Sequence, residues 1–307
     1  MKRDVLRIRD LGRDEADAIL TLAGRLKTKL RAGRPHPLLA GRTLAMIFEK
    51  PTLRTRVTFE VGMGQLGGSA IHLAPGDIKL GERESPGDIA RNLERWVDLV
   101  MARVFSHQSV VDLARAARVP VINGLSDLHH PCQVLSDCFT LRERRGKLDG
   151  LRVVFVGDGN NMVHSWIDAA ALLGFDFVLA CPPGFEPNPT ILAEAGPRVS
   201  VTHDARAAVR GADVVYTDVW TSMGQEAEVE ARRKAFRPYQ VNEQLVSVAA
   251  ADALVMHCLP AHRGEEITDG VLDGPQSVVF DQAENRLHVQ KAIMCWLVDP
   301  RLRLGSP

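Results

Sequence analysis

The run Phe48-Glu49-Lys50-Pro51-Thr52-Leu53-Arg54-Thr55-Arg56 gathers two hydroxyls and two guanidinium groups around one bend of the chain. Thr43 to Phe48, ahead of it, reads as a buried strand. Behind it, Val57, Val61 and Leu66 recur at roughly helical spacing as far as Gly67-Gly68. Thr52 to Arg56 therefore belongs at the amino end of a helix, where unused backbone N–H groups and the positive end of the helix dipole favour an anion. A phosphate suits that environment. Read alone, the two arginines suit ordinary solvated charge equally well.

Other chemistry-bearing residues fall in loops that follow apolar, strand-like runs: Arg103, Asp127 to Gln133, Gly157 to His164, Asp218 to Gly224 and Cys258 to Gly264. An open parallel sheet binds ligands beyond the carboxyl ends of its strands, so these loops are where chemistry belongs. Singly, each has an ordinary structural reading. His130 suits a helix-start histidine, Arg103 a solvated charge at a strand end, and Cys258 a buried packing residue.

The elements that must position them alternate strand and helix almost throughout, which implies parallel sheets covered by helices. The first half predicts strands at 43–48, 70–73, 99–104 and 119–122, with helices that include 88–97 and 109–118. Ser85-Pro86-Gly87-Asp88 supplies a capping residue, a proline at the first helical position and an early acid. The second half predicts strands near 152–156, 177–180, 199–201, 213–217, 253–257 and 278–280. Between the halves, Pro131 to Arg145 reads as one long helix ending at Gly146, and a last helix covers about 283–298. The fold class is α/β: two doubly wound parallel-sheet α/β domains joined by two interdomain helices.

Composition bounds the function. The 307 residues, 45% hydrophobic, allow two modest domains, each with its own core, or one large one, and 38 basic residues cancel 38 acidic ones. Without a basic stripe interleaved with aromatics, nucleic acid is not an expected partner, and small molecules are. No apolar run approaches the about 18 residues of a membrane span, and Met1 to Asp10 lacks a signal-like core, so a cytoplasmic protein with no membrane partner is expected. Five scattered cysteines form no Cys-x-x-Cys pair, which predicts neither a metal site nor a disulfide framework.

Together, the Thr52-to-Arg56 run, Arg103, Asp127-Leu128-His129-His130-Pro131-Cys132-Gln133, Gly157-Asp158-Gly159-Asn160-Asn161, Asp218-Val219-Trp220-Thr221-Ser222-Met223-Gly224 and His257-Cys258-Leu259-Pro260 resemble the aspartate/ornithine carbamoyltransferase family over essentially the whole chain. The resemblance, closest to the ornithine branch, implies transfer of a carbamoyl group from carbamoyl phosphate to the δ-amine of L-ornithine, giving citrulline and phosphate for arginine biosynthesis. It implies no cofactor and no metal. It assigns carbamoyl phosphate to Thr52, Leu53, Arg54, Thr55, Lys79, Arg103, His130, Gln133, Cys258, Leu259 and Arg286. Ornithine falls to Asn161, Asp218, Ser222 and Met223, and the catalytic set is Arg103, His130, Asp218 and Cys258. Residues 1–131, completed by a C-terminal helix 288–307, become the carbamoyl phosphate-binding domain, and 132–287 the ornithine-binding domain. A homotrimer, or a multiple of trimers with shared active sites, is the implied assembly.

Two positions depart from the family pattern. Leu53 stands where a hydroxyl residue is more usual. Lys79 replaces a common glutamine, in a loop that in the family reaches a neighbour's site. A nicotinamide-dependent dehydrogenase is the first rival, because Gly157-Asp158-Gly159 follows a strand. Met162 then occupies the third glycine position, and Ala180-Cys181-Pro182 lacks the acid that binds a ribose. A second rival is a non-catalytic paralogue that binds the same metabolites, and a third is a transferase acting on putrescine, N-acylornithine or aspartate. Asp218, as counter-ion for a free α-ammonium, argues for ornithine.

Overall fold

The computed structural model describes residues 2–78, 80–81, 83–221 and 228–304. Lys79, Ser222 and Met223 therefore lie outside the described residues. The chain divides into two compact units, one of Met1–Phe139 with Glu284–Pro307 and one of Thr140–Ala283.

The first unit holds β1 (Thr43–Phe48), β2 (Ser69–Leu73), β3 (Leu99–Arg103) and β4 (Val121–Leu125), all parallel, in the order β2-β1-β3-β4. Every residue of β3 is buried, which is why it reads as an unbroken apolar run rather than an alternation. Ala45, Ile47, Val100, Ala102, Val110, Leu113 and Val121 form a core from strands β1, β3 and β4 and the helix His107–Ala116. Each large aliphatic side chain so buried contributes about 1.5–3 kcal/mol. Chain order turns outward in opposite directions from β1 and β3. Their carboxyl ends therefore flank the crevice in which such sheets bind ligands. Phe48 is in register with Arg103, and the Glu49 N–H donates to the Arg103 carbonyl at 2.9 Å. The register of β3 against β4 slips between Ala102 and Arg103, opposite Asn123 to Leu125. Gly124 lies in that irregularity, and a Cβ there would come within 2.5 Å of the Met101 sulfur.

The second unit holds β5 (Arg152–Val156), β6 (Asp176–Ala180), β7 (Val199–Thr202), β8 (Val214–Thr217) and β9 (Leu254–His257), all parallel, ordered β7-β6-β5-β8-β9. The switch point is between β5 and β8. Val156 is in register with Thr217, whose Oγ1 donates to the Val156 carbonyl at 2.7 Å, so the loops after these two strands leave side by side.

The expected α/β class holds, and several local expectations change. The run 278–280 is not a strand. Ser277 makes one isolated bridge to Val255, and the chain then enters the helix Val279–Val298, the Gln282 N–H already donating to the Val278 carbonyl. The strand expected at 119–122 starts at Val121, because Pro120 has no N–H to give a ladder. The helix expected at 109–118 is His107–Ala116, capped by Ser106, whose hydroxyl accepts from the Gln108 N–H. Val57 and Val61 are exposed, and the helix Arg54–Gln65 buries Thr55, Phe59, Gly62 and Met63 instead. Among the described residues no helix is long and apolar enough to cross a membrane.

Candidate active site

In the first unit, the helix Arg54–Gln65 begins without a side-chain cap among the described residues, and its first turn has no acid. That start keeps the positive character an anion needs. Thr55 is fully buried and its Oγ1 accepts from Arg286 Nη2 at 2.8 Å, joining residues 231 apart in sequence. Arg103, at the end of β3, is 7% exposed. His130 is buried at the end of the loop that follows β4. Its pKa is held well below 6.5, first by burial and then by the guanidinium charges of Arg286, Arg103 and Arg54. The ring is therefore neutral at physiological pH and can donate one N–H without carrying charge. Asn123 holds the loop: its Nδ2 lies within 2.9–3.3 Å of the Leu6 carbonyl, Ser126 Oγ and the His129 carbonyl. Gln133, one turn into Pro131–Arg145, donates from Nε2 to Asp137 Oδ1 at 2.9 Å, while its buried Oε1 accepts no hydrogen bond among the described residues. Thr52 is half-buried and Leu53 is 72% exposed.

In the second unit, Asp218 follows β8 and is 9% exposed. Its Oδ1 accepts from the Cys258 thiol at 2.9 Å and from the Val219 N–H at 2.8 Å, and its Oδ2 accepts from Asn160 Nδ2 at 3.3 Å. Asn160 caps the helix Asn161–Leu173 through the Met162 and Val163 N–H groups. Asn161 begins that helix, half-buried. The family pattern points to Asn161 and not to Asn160, although an asparagine just before a helical run is a capping signal. His257 and Glu266, both fully buried, carry no site role in that pattern. The Leu259 N–H donates to His257 Nδ1 at 2.8 Å, which fixes the ring proton on Nε2, facing Glu266 Oε1 at 2.9 Å. This clamp holds Leu259 at φ +58°, a left-handed conformation that costs a leucine about 1–3 kcal/mol. The cis peptide bond Leu259-Pro260 follows it.

Asp218, His257 and Cys258 bring donor atoms within 4.8 Å of one another, the spacing a metal ion needs. The imidazole does not fit the role, because both its nitrogens are committed, one accepting from Leu259 and the other facing Glu266.

Residues 3–143 match the model of the aspartate/ornithine carbamoyltransferase carbamoyl-P binding domain, and residues 149–297 that of the Asp/Orn binding domain. The chain belongs to the aspartate/ornithine carbamoyltransferase family. Relatives in this family include an ornithine carbamoyltransferase of Thermococcus kodakarensis, 54% identical over 95% of each chain. The anabolic ornithine carbamoyltransferase of Pyrococcus furiosus is likewise 54% identical over 95% of each chain. A solved structure of ornithine carbamoyltransferase from Pyrococcus furiosus superposes with a TM-score of 0.92, covering 95% of this chain and 96% of the other.

Proposed function

We propose that the chain transfers the carbamoyl group of carbamoyl phosphate to the δ-amine of L-ornithine, releasing citrulline and phosphate. Bond by bond, the δ-nitrogen attacks the carbamoyl carbon, the carbon–oxygen bond to phosphate breaks, and the amine loses a proton. The observation that carries this reading is the neutral, buried His130 among Arg54, Arg103 and Arg286. Three fixed positive charges suit a dianionic phosphate, and a neutral N–H donor suits an oxygen on which charge grows as the carbon becomes tetrahedral. Thr55, oriented by Arg286, adds a hydroxyl to the same set, and Gln133 Oε1 offers an acceptor for the carbamoyl amine.

In the second unit, Asp218 supplies a carboxylate for the α-ammonium or the attacking amine, with Asn160 and Cys258 holding its two oxygens in place. Having an alkyl amine of pKa about 10.4 deprotonated near pH 7 costs roughly 4–5 kcal/mol. Asp218 and the Cys258 thiol ease that loss by orienting the amine and accepting its hydrogen bonds. Asn161, Ser222 and Met223 are assigned to the amino-acid end of ornithine, and Lys79 to the phosphate. Citrulline formation assayed with ornithine, putrescine, N-acetylornithine and aspartate in parallel tests the reading. Preference for any other acceptor overturns the ornithine assignment.

The direction is towards citrulline, as the anabolic relative's name supports, and the reaction is placed in the cytoplasm, which cell fractionation tests. A homotrimer is the proposed assembly. Leu53 at the N-cap and Val57 and Val61 on the helix Arg54–Gln65, 72%, 46% and 42% exposed at four-residue intervals, support a contact between copies. Sedimentation gives the copy number, and mixing Lys79→Ala with Arg54→Ala subunits tests shared sites. No recovered activity in the mixture refutes sharing.

A further inference from the structure

Arg232 lies on the helix Val229–Phe236, outside every segment that marks the family, yet it is 5% exposed. Its guanidinium reaches two loops at once. Nε donates to the Trp220 carbonyl at 2.7 Å, and Nη2 is paired with the Asp158 carboxylate. The plane packs against two rings, its carbon 4.9 Å from the centroid of Phe185 and 5.4 Å from that of Phe236, and Nη1 donates to Glu228 at 3.3 Å. Trp220 is two residues beyond Asp218 in the loop after β8, and Asp158 is two residues before Asn160 in the loop after β5. These are the loops already joined by Asn160 and Asp218.

We propose that Arg232 is a positioning residue for the amine acceptor, setting the separation of Asp218 from Asn160 and Asn161 by bolting their loops together. The inference rests on reading the second unit as the ornithine side. A planar fork whose two ends serve different loops cannot be replaced by a lysine, which brings a single point charge on a flexible stem. Stability alone does not account for the pair. Burial pushes the Asp158 carboxyl up to about 6 even against the pull of Arg232, and buried ion pairs of this kind are often matched in stability by apolar residues. Geometry is what the apolar alternative would lose.

The test compares the unmodified protein with Arg232→Lys, Arg232→Met and Asp158→Asn, measuring KM for each substrate, kcat and the thermal midpoint. Loop misplacement by the arginine variants is expected to raise KM for ornithine about 10- to 100-fold, with KM for carbamoyl phosphate within about twofold of the original. Asp158→Asn, which keeps an acceptor oxygen, is expected to give a smaller rise in the same direction. An unchanged KM for ornithine in folded Arg232→Lys overturns the proposal. So does an equal loss of affinity for both substrates with a fallen midpoint, the signature of general loosening. If the unmodified protein prefers another acceptor, the function reading fails, and the same KM comparison on that acceptor still decides the role of Arg232.

Discussion

Replacing His130 by alanine removes one donor from the carbonyl-polarising set and tests the charge state assigned to the ring. Loss of a single such donor typically costs about 10²–10³ in kcat, or about 2.7–4 kcal/mol. Thr55 belongs to the same set and remains in place, with the Arg103 charge still beside it, so the lower end, about 100-fold, is expected. The pH dependence is the sharper reading. Burial and the charges of Arg286, Arg103 and Arg54 keep the ring neutral well below 6.5. The deficit should therefore be constant across neutral and mildly alkaline pH. An imidazolium mechanism predicts instead a deficit that fades above about 6.5, as the ring loses its proton. His130→Gln, which keeps a neutral N–H, should fall between alanine and the original. Citrulline formed at saturating ornithine, with carbamoyl phosphate varied at several pH values, measures all three. A His130→Ala kcat within about threefold of the original, or a deficit that shrinks as pH rises, refutes the reasoning. The depressed pKa has a stability counterpart. The unfolded ring takes up a proton below about 6.5 while the folded one resists, so this group's stabilising contribution is lost as pH falls from there towards the folded pKa. His130→Ala should show less of that acid sensitivity.

Cys258→Ala is expected to lower turnover while leaving carbamoyl phosphate binding by titration nearly intact, since the thiol's hydrogen bond is to Asp218. Gly159→Ala would place a Cβ 2.5 Å from the backbone at Glu186 and Pro187. About 1–3 kcal/mol or more of destabilisation should follow, seen as a lower thermal midpoint. Lys291 is fully buried, and burial lowers its pKa from 10.5 to about 8. Because the unfolded chain binds this proton more tightly, its contribution to stability grows as pH rises from about 8 towards 10.5, and is lost on returning through 8. Denaturant midpoints at a series of alkaline pH values should show that rise in the original and not in Lys291→Met.

The motif loops were legible because each follows a strand buried on both faces, and such strands declare themselves as unbroken apolar runs. Helix faces were less so. Val57 and Val61 have the spacing of a core stripe, yet the buried face is Phe59 and Met63 extended by Thr55 and Gly62, the latter leaving room where Lys291 Cγ would lie 3.1 Å from an added Cβ. Apolar periodicity cannot register a threonine and a glycine as core. Val278 to Phe280 looks like a strand because it is apolar and β-branched at its start, and only its pairing through Ser277 with Val255 limits it to one bridge. Arg232 and Glu266 were illegible for another reason. Their partners, Asp158 and His257, are 74 and 9 residues away, and nothing local distinguishes a buried charge from a solvated one.

The first unit's discontinuity has a consequence for how the protein is made. Thr55 finds Arg286 only across 231 residues, and Gln65 accepts a hydrogen bond from Lys291 across 226. Val289, Ile293, Met294 and Trp296, all fully buried, belong to one unit with residues synthesised well before them. Residues 2–139 of that unit thus leave the ribosome ahead of the whole second unit but cannot close their core until residue 284 and those after it have followed. Until then it must wait, incomplete, for its last helix, while the unit encoded in between already has every strand it needs.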